Sequence, residues 1–162
     1  MKYILLVFIL IFTACSTKNY DNTQTKIIAI KSPKIKSSDL GYLRSSEESI
    51  ELELFMAGKC IETIRVNHPI CTSDGCMSKS GFNEEYLNVA YPDDILQNIR
   101  LARTIYDGQN MQKTADGFNQ HVQNQHVDIS YRVDSQVTFF KDRKNGIIFK
   151  IKDTQLRKDI EQ

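Results

Sequence analysis

The sequence predicts an α+β domain in which one amphipathic helix packs on an antiparallel β-sheet. Two stretches, Ile50–Leu54 and Val127–Val133, alternate apolar and polar residues with the period of a strand that has one buried face. A third stretch places apolar residues at helical spacing, in a stripe made of Ile95, Leu96, Ile99, Ala102 and Ile105. A single helix of this kind in a mostly β chain needs a sheet to cover, so the patterns together predict one domain.

The N-terminal segment has the pattern of a secretory signal peptide, residues 1–14. Lys2 supplies a positive start, Tyr3–Phe12 is unbroken and apolar, and small residues precede Cys15. An apolar run of about ten residues is roughly 15 Å long as a helix, too short for a hydrocarbon core of about 30 Å. The ending Phe12-Thr13-Ala14-Cys15 resembles a bacterial lipobox, which predicts acylation of Cys15 by a diacylglycerol and a fatty acid such as palmitate. The alternative is an ordinary cleaved signal with a chance cysteine.

Lipidation would keep the mature protein on a membrane, because several acyl chains together anchor firmly. Ser16 follows Cys15 where the sorting signal for inner-membrane retention is typically Asp, so the resemblance favours the periplasmic face of the outer membrane. The acylated cysteine and a polar tether occupy 15–25, and a single globular domain occupies 26–162.

Charge excludes one class of partner. Lys2 is the only charged residue within 1–14, so the mature chain balances its 20 acidic residues with an equal number of basic ones. A nucleic-acid-binding protein would show a basic excess, and none is expected here. We expect no nucleic-acid partner and a monomeric domain.

The first half of the domain predicts four strands. Lys26–Ile30 is a short strand that Pro33 would place at a sheet edge, and 34–43 and 50–54 continue as a meander. The return strand 60–66 contains Cys60, which is expected in the core as a small apolar residue.

The second half predicts the helix and the final strands. Pro92 suits the first turn of the helix, and Asp107-Gly108 ends it. The polar stretch 109–125 is expected to be a solvated loop. Strand 127–133 and a hairpin across Asn145-Gly146, which joins 137–140 to 147–151, complete the domain.

Three cysteines remain besides Cys15 and allow three different single bridges. Cys71 and Cys76 enclose a turn-forming sequence, so the local disulfide is the first choice in an oxidising compartment. A redox motif usually has two intervening residues, and a zinc site would need a fourth ligand beside His68. His121 and His126 lack carboxylate or cysteine neighbours in the sequence, so no metal site is predicted.

Several segments resemble LolB, the outer-membrane receptor family of lipoprotein localisation. Tyr91–Ile99 resembles the start of the family's helix, and Gly117–Gln120 with Val127–Tyr131 resembles its Gln-x-x-x-Val-x-Tyr strand. Val137–Lys152 resembles the closing hairpin. The resemblance implies a strongly curved antiparallel sheet, an incomplete barrel, with the helix on its concave face.

The same resemblance implies that the protein receives acyl chains of other lipoproteins in an apolar cavity and helps to place them in the outer membrane. Its partners would be a periplasmic lipoprotein carrier and the acylated cargo, and it would need no catalyst or cofactor besides its own anchor. An exposed apolar loop would assist membrane insertion, with Ile70 and Met77 as candidates. The candidate cavity residues are Leu52, Leu54, Ile95, Ile99, Ile129, Tyr131, Phe139 and Phe149.

A different class of function explains the same features without a cavity. A structural or assembly lipoprotein would use the tether and the small domain to bind an envelope protein complex. An enzyme is not predicted, because the sequence contains no nucleophile elbow, zinc helix or phosphate loop, and Asp93-Asp94 is explained by helix capping.

Overall fold

A computed structural model describes residues 20–46 and 49–154, and in them an eleven-stranded antiparallel sheet dominates the domain. The predicted α+β class is therefore wrong, because helix is confined within these residues to short segments. The signal peptide, Cys15 and the end of the chain lie outside the described residues. The strands are β1 (Asn22–Lys31), β2 (Lys36–Ser45), β3 (Ile50–Met56), β4 (Lys59–Val66), β5 (Ile70–Thr72), β6 (Gly75–Met77), β7 (Met111–Lys113), β8 (Phe118–Gln123), β9 (Asp128–Val133), β10 (Val137–Asp142) and β11 (Ile147–Asp153).

The sheet consists of two meanders joined by its first and last strands. The strand order is β6-β5-β4-β3-β2-β1-β11-β10-β9-β8-β7, so β1 pairs with both β2 and β11. β1 is thus central, and the expectation of an edge strand is wrong. Pro33 is compatible with this position because it lies after the end of β1, in a turn closed by the Ser32 amide and the Ile35 carbonyl.

β1 begins at Asn22, inside the segment assigned to the tether. Its first residues pair with the end of β2, from Asn22 opposite Ser45 to Thr25 opposite Tyr42. Polar side chains did not prevent this pairing, because the β2 backbone offers a complete ladder of hydrogen bonds.

The segment predicted to be a long amphipathic helix forms only α2 (Ile95–Arg100) and a 3₁₀ turn (Tyr106–Gly108). A short helix α1 (Lys79–Phe82) and a π-helical turn (Asn83–Leu87) precede it. The predicted stripe is buried, with Ile95, Leu96, Ile99 and Ile105 all nearly inaccessible to solvent. However, α2 stops at Arg100, and Ala102 adopts a left-handed φ of 53°. Apolar spacing correctly indicated burial but not a continuous helix.

The cause of this early stop lies in the segment predicted to be a loop. Gln120 is buried on β8, where its amide donates to the carbonyls of Ile105 (2.6 Å) and Gln109 (2.8 Å) and accepts from the Ile105 amide (3.0 Å). These bonds replace helical ones, so the chain can leave the helix without burying unpaired backbone groups. The solvated-loop prediction for 109–125 is therefore wrong, since β7 and β8 occupy much of it.

One face of the sheet is covered by the crossover that joins β6 to β7, residues 78–110. Phe82, Tyr86 and Ile99 from the crossover form a single buried cluster with apolar residues of the strands. Phe140 is fully buried in this cluster and makes edge-to-face contacts with Tyr91, Tyr131 and Phe149, with ring centroids 6.0–6.2 Å apart. We call this face the covered face and the opposite one the outer face.

Candidate functional site

The residues predicted to line an acyl cavity form the packed core instead. Seven of them point to the covered face, and each is at most 6% exposed: Leu52, Leu54, Ile95, Ile99, Ile129, Tyr131 and Phe149. Phe139 is the exception, since it pairs with Arg132 and Lys150 on the outer face and is half-buried. The structure therefore brings seven candidates together as side chains that fill space against each other, and separates the eighth from them.

The two candidates for a membrane-insertion loop are not exposed apolar residues. Ile70 is 1% exposed on β5, opposite Val66 and Met77. Met77 is half-buried and packs against the core. The excursion 67–81 is thus mainly a hairpin with the beginning of α1, anchored by its apolar residues.

Cys71 and Cys76 form a disulfide across the paired strands β5 and β6, in agreement with the local pairing favoured by the sequence. Cys60 is a free thiol and is exposed, so its predicted place in the core is wrong. It follows the β3–β4 turn beside a β-bulge at Leu54/Phe55, where the strand register changes.

Neither a metal cluster nor a membrane-spanning helix occurs in the part of the chain that the structure describes. No group of three or more potential metal ligands is found there, and the helices are too short to cross a bilayer. His121 lies on the outer face, with its Nε2 atom 3.8 Å from a carboxylate oxygen of Asp128.

The outer face is not covered by any element within 20–46 and 49–154, and it has a distinct apolar centre. Ile27 and Leu40 lie opposite each other on β1 and β2, and their exposed fractions are 38% and 51%. Tyr42 follows on β2, also 38% exposed, and its ring meets Phe55 edge to face with centroids 5.6 Å apart. Exposed apolar groups this close together are typical of an interaction surface.

Four lysines border this centre, and we call them the lysine patch: Lys31, Lys36, Lys150 and Lys152. Lys150 and Lys152 lie opposite Ala29 and Ile27 in the ladder, and Lys31 lies opposite Lys36. Within the described ranges none of the four forms an ion pair. The patch therefore carries positive charge that the rest of the domain does not neutralise.

Acidic groups on the outer face are held by arginines at the other end of β1 and β2. Glu51 is nearly buried and accepts hydrogen bonds from Tyr20 (2.7 Å), Arg65 (2.7 Å) and Arg44 (3.2 Å), and Arg44 also pairs with Glu53. Burial disfavours the charged carboxylate, but the bonds from Tyr20 and Arg65 outweigh it, so the pKa of Glu51 is lowered. We call these residues the Glu51 cluster.

A groove of about 740 Å³ lies at the β7 end of the sheet. Outer-face side chains along it are mostly polar: Gln112, Asn119, His121, Ser130 and Arg132, with Phe139 as the aromatic member. β7 is an edge strand, so the edge that faces away from β8 has no neighbouring strand among the described residues. The groove thus combines amide, hydroxyl and guanidinium groups with a free strand edge.

The alternation in Ile50–Leu54 correctly predicted that β3 has one solvent-facing side, but it did not predict the partners of Glu51. Tyr20 was placed in the tether, and its hydrogen bond to Glu51 spans 31 positions. No local pattern encodes a contact of that range. Comparisons with protein-family models, curated proteins and solved structures found no match, so the resemblance to LolB rests on the residues quoted for it.

Proposed function

We propose that this chain is a non-catalytic assembly lipoprotein, acylated at Cys15 at the periplasmic face of a bacterial outer membrane, that binds another envelope protein. The observation that carries this choice is the filled core. All of the residues proposed to receive acyl chains except Phe139 already belong to the packed core, with Ile129 and Tyr131 almost completely buried. To admit acyl chains the domain would have to separate the crossover from the sheet, at a cost of about 25 cal/mol for each Å² of apolar surface exposed to water.

The groove supports an extended polypeptide segment as the ligand. A segment that pairs with β7 would satisfy the backbone groups of this edge strand. Its side chains on the outer face would then lie beside Gln112, and Asn119 follows on the neighbouring strand β8. Gln112, Asn119, Arg132 and Phe139 form one row across the strands, so a long ligand side chain beside Gln112 would extend along this row.

Photocrosslinking in intact cells tests this assignment. A photoreactive residue at Gln112, on the edge strand, should capture one defined envelope protein. The control position is Ser73, which is exposed in the β5–β6 turn at the opposite end of the sheet and should capture no defined partner. A random spread of neighbours at Gln112, equal to that at Ser73, would refute the groove as the binding site.

A lipid-binding assay distinguishes the assembly function from the reception of acyl chains. A fluorescent apolar probe should show no saturable binding to the folded domain that lacks residues 1–15. Saturable binding that a fatty acid displaces would contradict the assembly function and support a LolB-like receptor.

The anchor is tested separately. The substitution Cys15→Ala should release the protein from membranes, because its other N-terminal apolar residues are removed or too few to span a bilayer. A variant that stays in the membrane fraction would contradict anchoring through Cys15.

A further inference from the structure

We propose that the lysine patch and the apolar centre beside it rest on the anionic headgroups of the bilayer that holds the Cys15 anchor. This inference depends on the acylation in the proposed function, but not on the identity of the protein partner. The domain would then have a fixed orientation on the membrane instead of swinging freely on its tether.

The path of the chain supports this orientation. Tyr20 is the first described residue, and it lies on the outer face, with its hydroxyl on Glu51 and its ring centroid 5.9 Å from the Arg44 guanidinium carbon. The Asp21 amide also bonds to the Ser45 carbonyl (2.9 Å). Four residues lie between Cys15 and Tyr20, and the five steps of an extended chain from one to the other span at most about 18 Å. The anchor therefore keeps the Glu51-cluster end of the outer face close to the bilayer. Lys31 and Lys36 lie at the other end of β1 and β2, about 30 Å along the strands, so they reach the bilayer only if the face lies flat on it.

Charge selects an anionic surface. The four lysines have no ion-pair partner among the described residues, whereas Glu51 and Glu53 on the same face are paired with Arg44 and Arg65. The uncompensated charge of this half of the face is therefore positive. Lysines attract anionic lipid headgroups over about one Debye length, roughly 8 Å at physiological ionic strength.

The apolar centre suits the same surface. Ile27 and Leu40 are exposed between the Glu51 cluster and the lysines, and Tyr42 has the amphipathic ring that is common at membrane interfaces. The long lysine side chains can keep their ammonium groups at headgroup level while these residues sit slightly deeper. A site that bound only free anions would not need exposed apolar residues beside the lysines, whereas a bilayer has an apolar layer below its headgroups.

The groove remains available when the patch is on the membrane. Phe139 borders the patch opposite Lys150, but three strand-to-strand steps separate β11 from β8, and a sheet twists by about 20–25° at each step. One flat bilayer surface therefore does not contact both ends of the outer face, so membrane contact and protein binding are compatible.

Lysine labelling of the full acylated chain in vesicles tests the inference. The chain is purified from a host that acylates it and reconstituted in vesicles of phosphatidylcholine alone or with phosphatidylglycerol. A water-soluble amine reagent should label the lysine patch about fivefold more slowly in the anionic vesicles, the factor expected for one lysine at an anionic surface. Lys59 and Lys113, which are exposed elsewhere, should be labelled equally in both. Equal labelling of the patch in the two vesicles would overturn the inference.

Matched variants separate local contact from general charge. In the triple variant Lys31→Glu, Lys36→Glu and Lys150→Glu, the slower labelling of Lys152 in anionic vesicles should disappear. The triple variant Lys59→Glu, Lys113→Glu and Lys144→Glu changes the net charge equally and should keep it, with circular dichroism confirming that both variants are folded. Loss of the slower Lys152 labelling in both variants would overturn bilayer contact. Slower labelling that occurs in cells but not in vesicles would overturn it too, because it would indicate an acidic protein as the partner. A purified chain without acyl mass would overturn the anchor and the inference together, whereas an acylated chain with no protection overturns the inference alone.

Discussion

Replacing Gln120 by Leu should destabilise the domain strongly, although Leu is similar in size and the site is buried. The substitution removes one acceptor for the Ile105 amide and two donors, for the carbonyls of Ile105 and Gln109. The amide and carbonyl of Ile105 are buried, and each costs about 1–3 kcal/mol without a partner, whereas Gln109 is exposed and its carbonyl can bond to water. The gain from burying Leu offsets part of the sum. We expect a loss of about 3–5 kcal/mol in the free energy of unfolding, or about 10–20 °C in melting temperature.

Urea and thermal unfolding of the domain, followed by circular dichroism, measure this loss. The matched control is Asn119→Leu, because Asn119 is the preceding residue of β8, is exposed and points to the outer face. That control should change the free energy by no more than about 0.5 kcal/mol. In Gln120→Glu the loss should be smaller near pH 4 than at pH 7, since a protonated carboxyl group can again donate one hydrogen bond. Equal stabilities of Gln120→Leu and Asn119→Leu would refute the role of this amide.

Three further predictions concern other positions. Gly41→Ala should lower the free energy of unfolding by about 1–3 kcal/mol, because an added Cβ would lie 2.5 Å from the Glu53 carbonyl oxygen. Urea unfolding measures this loss, and an unchanged midpoint would show that β2 and β3 can move apart without cost. Replacing both Cys71 and Cys76 by Ala should cost about 2 kcal/mol, the value for so short a loop, and wild-type protein under reducing conditions should show the same loss. Asp142→Asn should destabilise the domain at pH 7, and urea titrations should converge for the two proteins as pH falls below the ordinary carboxyl range. If acid lowered the free energy of unfolding of the wild type no more than that of Asp142→Asn, this prediction would be contradicted.

The acid dependence follows from the surroundings of Asp142. Its carboxylate is fully buried and accepts hydrogen bonds from Tyr91 (2.7 Å), Asn145 (2.6 Å) and the backbone amide of Asp128 (3.2 Å). Burial opposes ionisation, but the bonds from Asn145 and Tyr91 outweigh it and lower the pKa. Since the folded pKa lies below the unfolded one, the stabilisation is complete above the unfolded pKa. It is lost as pH falls through the folded pKa.

The sequence predicted the positions of strands better than it predicted which strands pair. Alternation located the β3 and β9 strands within one or two residues, because a half-buried strand must alternate. It could not predict that β1 pairs with β11, since that contact depends on the whole chain. The helix failed for a related reason. Burial of Ile105 depends on Gln120, whose polar side chain suggested solvent but whose amide replaces backbone hydrogen bonds.

The candidate surfaces show the same limit. The composition indicated no charge imbalance, yet the folded domain separates its charges. Acidic Glu51 and Glu53 are neutralised in one cluster, and the lysine patch is left unpaired among the described residues. A net charge near zero therefore excludes a generally basic protein but not a local basic surface.

The position of β11 ties the proposed membrane surface to complete folding. Lys31 and Lys36 come from the first strands, whereas Lys150 and Lys152 come from the last, and they meet only because β11 inserts between β1 and β10. On the covered face the same insertion places Phe149 against Ile30 and Phe140, so the core and the patch depend on the same strand pairing. A chain still attached through Cys15 but not yet folded would carry only half of the patch. Firm contact with an anionic bilayer would accordingly distinguish the folded domain from an unfolded chain on the same anchor.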